Sequence, residues 1–164
     1  MKKISILCAL SVLVLSSCKK NLPEVGGTSA EKVANEWWVT TKVGSQTFGF
    51  EKIATYNTAD NNNDIWVDDL KHIYGFKVKA TANYSDISFT SSPTASNVYY
   101  DPAHPANFPL TVKITNGKVI PNGGHSRTGN VTDSIYLQVE FSDDPGTVYT
   151  LSGHARTRFA EDDY

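Results

Sequence analysis

The chain has 164 residues, and its 15 lysines and arginines against 17 aspartates and glutamates give a formal net charge of −2 at pH 7. This length corresponds to one domain, and the charge excludes proteins that bind nucleic acid through a strongly basic face. Hydrophobic residues make up 40% of the chain and aromatic residues 11%, which is ordinary for a globular protein with a buried core.

The N-terminal residues have the pattern of a secretion signal that ends at a cysteine. Lys2 and Lys3 precede an apolar run over residues 4–15, which is too short to span a bilayer because a transmembrane helix needs about 20 apolar residues. The following Leu15-Ser16-Ser17-Cys18 is similar to the lipobox of bacterial lipoproteins. The sequence therefore predicts a signal peptide over residues 1–17 and lipid attachment at Cys18. An ordinary signal peptide with a chance cysteine is the alternative.

Residues 18–34 are predicted to form the lipidated end and a flexible tether. Pro23, Gly26 and Gly27 interrupt a stretch of low apolar content, as is typical of linkers. Acyl chains on Cys18 would hold the protein in the cell envelope, anchored to the outer membrane on a side that the sequence does not indicate. Because Cys8 lies in the segment to be removed, the mature chain is predicted to fold without a disulfide.

After the tether, apolar and polar residues alternate with a period of two, and valine, isoleucine, threonine and aromatic residues are frequent. This pattern predicts β-strands rather than helices. We expect about eight strands in a single domain over residues 35–164. Their expected ranges are 37–43, 46–56, 64–69, 73–82, 86–90, 110–115 (extended past an Asn116-Gly117 turn by 118–120), 131–142 and 147–159.

The strands have one apolar face each, which is typical of an antiparallel sheet with one buried side. The strand over residues 131–142 alternates most regularly, with Val131, Ile135, Leu137, Val139 and Phe141 on one side and only Asp133 breaking that apolar face. About eight such strands would leave two open edges unless the sheet closes on itself. The predicted fold is therefore an all-β, antiparallel up-and-down barrel, and a two-sheet sandwich is the alternative.

A long proline-rich segment, residues 91–109, separates the fifth and sixth predicted strands. It contains four prolines and the aromatic residues Tyr99, Tyr100 and Phe108. Connections of this length in compact domains are often lids or binding loops. A lid over the barrel end and a static plug are both consistent with the sequence.

No residue pattern specifies a reaction. The chain lacks a Gly-x-Ser-x-Gly nucleophile motif, and no two of its four histidines lie three to five residues apart, as a compact zinc site would require. Asp68 and Asp69 form a carboxylate pair at a strand end, where alternation would turn at most one of them inward. The sequence thus predicts no metal and no cofactor, and it assigns no catalytic residue.

Several segments together resemble a family of small Bacteroidetes lipoproteins called the lipid-binding putative hydrolase family. The segments are Asn35-Glu36-Trp37-Trp38-Val39, Tyr56-Asn57-Thr58-Ala59, Ile65-Trp66-Val67-Asp68-Asp69, Phe76-Lys77-Val78, Ile114-Thr115-Asn116-Gly117-Lys118, Asp133-Ser134-Ile135-Tyr136 and the stretch from Glu140 through Gly153-His154 to Glu161-Asp162-Asp163-Tyr164. The resemblance implies a calycin-like, or lipocalin-like, barrel with an apolar ligand inside. It supplies no catalytic residues.

Lipocalins pack a basic residue of the last strand against a tryptophan of the first. The resemblance therefore implies a contact of Arg156 or Arg158 with Trp37 or Trp38 across the barrel seam. A guanidinium over an indole would contribute about 0.5–2 kcal/mol. We expect this contact to be structural.

Inward alternation predicts which side chains would meet a ligand in the barrel. The candidate ligand-binding residues are Trp37, Phe50, Phe76, Phe89, Leu137, Val139, Tyr149 and Leu151. Phe50 is the weakest, because Gly49 beside it is compatible with a bulge that exchanges the directions of Phe48 and Phe50.

Three functions are compatible with the sequence. The first is a membrane-anchored protein whose barrel binds a lipid or another small apolar ligand. The second is a lipid or ester hydrolase that uses the same cavity. The third is a barrel filled with side chains that acts as an interaction module in a cell-surface assembly.

Overall fold

The computed structural model describes residues 27–60 and 62–164. The predicted signal peptide and Cys18 lie outside these ranges. Within them, the chain forms antiparallel strands and one short 3₁₀ helix, and no helix is long and apolar enough to cross a membrane. The elements are β1 (Asn35–Val43), β2 (Gln46–Thr47), β3 (Glu51–Asn57), β4 (Asp64–Asp68), β5 (Lys77–Asn83), β6 (Ser88–Ser96), β7 (Thr111–His125), β8 (Val131–Phe141), β9 (Asp144–Ala155) and the helix Ala160–Asp162.

The sheet closes into a barrel. Its strand order is β2-β1-β3-β4-β5-β6-β7-β8-β9, and β1 also pairs with β9. This seam runs from Trp37 opposite Ala155 to Val43 opposite Tyr149. The two-residue β2 pairs only with the end of β1, so the other eight strands form the closed ring. The predicted barrel is confirmed, and the sandwich alternative is wrong because the first and last strands are hydrogen-bonded.

Side chains fill the middle of the barrel. Seven of the eight ring strands contribute an inward residue with no exposed surface: Val39, Ile53, Val67, Val78, Ile114, Leu137 and Leu151. A void that admits water would leave accessible surface on the side chains around it, so these residues line no such void. In β8, four of the five predicted inward residues, Ile135, Leu137, Val139 and Phe141, are at most 2% exposed. Val131 is 61% exposed, because it is the first residue of the strand and lies beyond the core.

Several predicted strand boundaries differ from the structure. The fifth strand continues to Ser96, into the predicted proline-rich connection, and the last strand runs over Asp144–Ala155. Three further differences have a local reason. The second strand is interrupted over residues 48–50 around Gly49, since glycine weakens a strand interior. The fourth begins at Lys77 rather than residue 73, because the preceding backbone N–H groups bond to the carboxylate of Asp69. Asn116, with a φ of 53°, forms a bulge inside a continuous β7 instead of a hairpin turn.

The two ends of the barrel differ. At one end, which we call the base, residues 28–34 turn beneath the sheet and bury Ala30 and Val33 completely. The Trp37 indole N–H donates to the Thr55 hydroxyl at the base (2.8 Å), and Thr55 donates to the Val33 carbonyl. At the other end, the mouth, lie the connections 44–50, 69–76, 97–110 and 142–143. The N-terminal segment therefore enters at the end opposite the mouth.

The seam is held at the base by ion pairs. Arg156 donates to both carboxylate oxygens of Asp163 (2.7 and 2.5 Å) and to Glu36 (2.9 Å). The Trp38 indole N–H donates to the same Asp163 (3.2 Å). The predicted pairing of first and last strands is thus confirmed. The predicted stacking of the arginine on a tryptophan, however, is replaced by ion pairs. The Arg156 guanidinium lies between the carboxylates of Glu36 and Asp163, and Asp163 joins it to the Trp38 indole.

Candidate functional site

A pocket of about 290 Å³ opens at the mouth of the barrel. Its walls come from the end of β1, the interrupted segment before β3, the β4–β5 connection and the start of β9. The residues that line it are Thr41, Phe48, Gly49, Glu51, His72, Ile73, Tyr74 and Tyr149. Most of this surface is aromatic or aliphatic, as in ligand pockets generally.

Aromatic rings separate this mouth pocket from the filled interior. Tyr74 stacks on Phe141 with ring centroids 3.8 Å apart and planes at 8°. Tyr149 meets both rings edge-on, at 5.4 Å from Tyr74 and 5.0 Å from Phe141, and Phe76 packs below Phe141 at 5.6 Å. Because Phe76 and Phe141 are buried, a ligand that enters the mouth would stop at this aromatic floor.

The two tyrosines of the pocket keep their hydroxyl protons. Tyr149 donates a hydrogen bond to Asp144 (2.8 Å). Burial, together with this hydrogen bond, raises the pKa of Tyr149 well above its ordinary value. Burial and then the negative charge of Asp143 raise the pKa of Tyr74. Both side chains are therefore neutral hydrogen-bonding groups at physiological pH, and neither is an activated nucleophile.

One buried carboxylate shapes the β4–β5 wall of the pocket. Asp69 has no exposed surface and accepts hydrogen bonds from the backbone N–H groups of Lys71, Tyr74, Gly75 and Phe76, at 2.7–2.9 Å. These bonds fold residues 69–76 into the turn that presents Ile73 and Tyr74 to the mouth. The sequence analysis noted Asp69 only as half of a carboxylate pair. The signal in the sequence that could have predicted this turn is an acidic residue followed six residues later by a glycine, Asp69 and Gly75.

Asp68, the other half of the pair, is also buried but serves the long connection. It accepts hydrogen bonds from the hydroxyls of Tyr56 (2.9 Å) and Tyr99 (2.7 Å). Asn97 joins the same connection to the barrel, since its side-chain amide donates to the carbonyls of Gly75 (3.0 Å) and Pro109 (2.9 Å). The connection is thus fixed at its root, and none of its described residues lines the mouth pocket.

The eight predicted ligand-binding residues lie in three environments: the filled interior, the mouth pocket and, for Phe50 alone, the outer face of the barrel. Five lie in the filled interior with at most 1% exposure: Trp37, Phe76, Leu137, Val139 and Leu151. Phe89 is buried too, and its edge borders an outer groove between β5 and β7. Tyr149 lines the mouth pocket. A ligand would reach the five interior residues only if the core opened, so their role in binding stays a prediction.

Phe50 lies on the outer face of the barrel. Its ring stacks on Tyr164 with centroids 4.0 Å apart and meets His154 edge-on at 5.8 Å. Its direction follows the regular alternation of β3, in which Ile53 and Thr55 point inward. Phe48 lines the mouth pocket instead, because the strand is broken over residues 48–50. The pocket residues that sequence reasoning did not select are Thr41, Phe48, Gly49, Glu51, His72, Ile73 and Tyr74.

The described residues do not assemble a hydrolytic site at the mouth. His72 lies 3.0 Å from the Lys52 carbonyl oxygen, His104 bonds to Asp101 and His154 to Tyr164. None of these three histidines bonds a serine or threonine hydroxyl, the arrangement that activates such a nucleophile. In the same ranges, no three histidine, cysteine or acidic side chains converge as a metal ion would require.

The family described as lipid-binding putative hydrolase matches residues 22–160, which include all nine strands. No curated protein matches the chain.

Proposed function

The chain belongs to the lipid-binding putative hydrolase family, and from this premise we propose that it binds the apolar portion of a single lipid in the mouth pocket. The observation that carries the proposal is an apolar pocket of about 290 Å³ that is open at the mouth and ends on an aromatic floor. Both the family and the barrel fold fit a lipid-binding role.

The size of the pocket limits the ligand. About 290 Å³ is at the low end of the roughly 300–1,000 Å³ found for ligand pockets. One acyl chain or a small ring system fits such a volume, and a whole phospholipid does not. Each buried methylene group contributes about 0.8 kcal/mol. Affinity should therefore rise with chain length, by about tenfold for every two carbons, until the chain reaches the aromatic floor and further carbons remain in water.

Filling the pocket tests the proposal. Gly49 lines the pocket, and a Cβ atom built on it meets nothing within 4 Å. Gly49→Leu should therefore fold normally and occupy the volume that the ligand needs. We expect the dissociation constant of Nile red, an uncharged fluorophore, to rise at least about tenfold, since two or more displaced methylene contacts correspond to about 1.6 kcal/mol. Fluorescence titration of the domain measures this change.

Gly27→Leu is the matched control, because Gly27 also has open space around it and lies outside the pocket. It should bind Nile red as the unmodified domain does. Unchanged binding by Gly49→Leu would place the ligand elsewhere. If the unmodified domain binds no apolar probe, the filled interior would favour the third function, a barrel that serves as an interaction module.

We also propose that the protein is a lipoprotein held in the outer membrane through acyl chains on Cys18. The support is the basic, apolar and Leu-Ser-Ser-Cys pattern of the N-terminal residues. Since residues 28–34 enter at the base, the anchor would be joined to the barrel at the end opposite the mouth. The ligand would then enter from the side away from the tether.

Substitution of the cysteine tests the anchor. Cys18→Ala should abolish incorporation of radioactive palmitate and leave the protein uncleaved or released from the membrane fraction, because the acylated thiol is lost. Cys8→Ala is the control, since this residue lies in the segment predicted to be removed, and it should be labelled normally. Palmitate label on Cys18→Ala would contradict the proposal.

A further inference from the structure

We infer that the head group of the bound lipid carries no negative charge: the mouth pocket takes a neutral or cationic amphiphile and discriminates against a fatty-acid anion. This inference rests on the proposed function, because it concerns the ligand of the same pocket. It is carried by the charges at the mouth.

The pocket offers no permanent cation to a ligand. Among its described lining residues there is one carboxylate, Glu51, and no lysine or arginine. A second carboxylate, Asp144, accepts the Tyr149 hydroxyl at 2.8 Å, and Asp143 acts on the hydroxyl of Tyr74. The polar end of a ligand at the mouth would therefore lie among three carboxylates.

The lysines near the mouth are engaged elsewhere. Lys71 lies over the rings of Tyr99 and Phe108, at 4.7 and 5.3 Å from their centroids. Lys77 lies 3.8 Å from Asp68, on the outer face of β5. Lys52 lies 4.0 Å from Glu36 and also points outward from the barrel.

Lys42 completes the set of neighbouring cations. It follows the inward Thr41 in β1, so alternation directs its side chain to the outer face, where it is exposed. His72 also lines the pocket, and its Nδ1 lies 3.0 Å from the Lys52 carbonyl oxygen. No lysine among these four is positioned to neutralise an anion in the pocket.

This charge arrangement decides which head groups are favourable. A carboxylate or phosphate held partly out of water needs a cation or several hydrogen-bond donors to offset its lost hydration. Here the acidic side chain of the lining, Glu51, repels it. A hydroxyl group can donate to Glu51 and accept from water or Thr41, and an ammonium group pairs with Glu51 directly. Selectivity should thus follow charge when chain length is held constant.

A series of ligands with one chain length tests the inference. Laurate, monolaurin and dodecylamine share a twelve-carbon chain and are anionic, neutral and cationic at pH 8. Each is titrated against the domain loaded with Nile red, below its micelle concentration and at constant ionic strength. We expect laurate to displace the dye at least about tenfold less effectively than monolaurin, and dodecylamine to equal or exceed monolaurin.

Glu51→Gln identifies the source of the selectivity. The variant should weaken dodecylamine relative to monolaurin by about two- to fivefold, the range of a partly exposed ion pair, because the amide retains an oxygen that accepts from a hydroxyl group but loses the charge. Glu31→Gln removes an exposed carboxylate at the base and should alter neither ligand. Laurate binding as tightly as monolaurin, or an amine preference that survives in Glu51→Gln, would overturn the inference alone. Failure of all three ligands to displace the dye would overturn the proposed function and this inference with it.

Discussion

Gly153→Ala should lower the unfolding midpoint of the domain by about 10–20 °C, which corresponds to about 3–5 kcal/mol for a domain of this size. Gly153 lies at the seam, opposite Val39 of β1 and Ile135 of β8. A Cβ atom at this position would overlap the Trp38 carbonyl oxygen and the Cα atom of Val39. Since both are backbone atoms, no side-chain rotation relieves the overlap, and the variant can fold only if β1 and β9 move apart.

Thermal unfolding followed by circular dichroism measures this effect. Gly49→Ala is the matched control, because a Cβ atom there has no neighbour within 4 Å, and its stability should change by less than about 0.5 kcal/mol. A Gly153→Ala variant as stable as this control would show that the β1–β9 pairing contributes little to the fold. Hydrogen exchange would locate the change, with protection lost first at the seam amides.

Asp69→Ala should destabilise the domain by about 3–5 kcal/mol and abolish ligand binding under conditions in which the protein remains folded. The substitution leaves four backbone N–H groups without their acceptor. Each of these donors that water cannot reach lowers the free energy of unfolding by about 1–3 kcal/mol. The turn is also strained, because Leu70 and Lys71 have φ values of 54° and 63°, and this conformation costs a residue other than glycine about 1–2 kcal/mol. Without the Asp69 hydrogen bonds, this cost is no longer offset and the turn should open.

Urea unfolding gives the stability of Asp69→Ala, and Nile red titration below the unfolding transition gives its binding. Asp69→Asn should be intermediate, because an amide retains one acceptor oxygen. Asp60→Ala removes an exposed carboxylate from the base and should change neither property by more than experimental error. Normal dye binding by folded Asp69→Ala would mean that the turn over residues 69–76 does not form the pocket.

Together these variants separate the fold from the site. Gly153 acts at the seam and should alter stability throughout the barrel, whereas Gly49 and Glu51 lie at the mouth and should alter binding without unfolding the protein. Asp69 belongs to both groups, because the turn that it holds joins β4 to β5 and also carries Ile73 and Tyr74 into the pocket. The hydrogen bonds that it accepts from this turn explain why its carboxylate is buried.

The amino-acid sequence by itself determined the class of fold. Alternation with a period of two distinguishes the two faces of each strand, so four of the five predicted inward residues of β8 are buried and only Val131, at the start of the strand, is exposed. Their number and the short connections then favoured closure over a sandwich, since eight strands with one dry face have no other way to remove both edges. The N-terminal pattern likewise predicts secretion and anchoring, which depend on a local motif rather than on a fold.

Only the tertiary structure decided where free surface remains for a ligand. Alternation shows that Trp37, Leu137 and Leu151 point inward, but whether they meet at the axis depends on side chains from strands far apart in the sequence. The position of Phe48 at the mouth depends on a break of the strand around Gly49, whose direction no local rule specifies. The hydrogen bonds of Asp69 join groups up to seven residues apart in an irregular turn. Contacts of these three kinds do not recur at a regular spacing in the sequence, so no pattern predicts them. Together they place the candidate site at the mouth of the barrel.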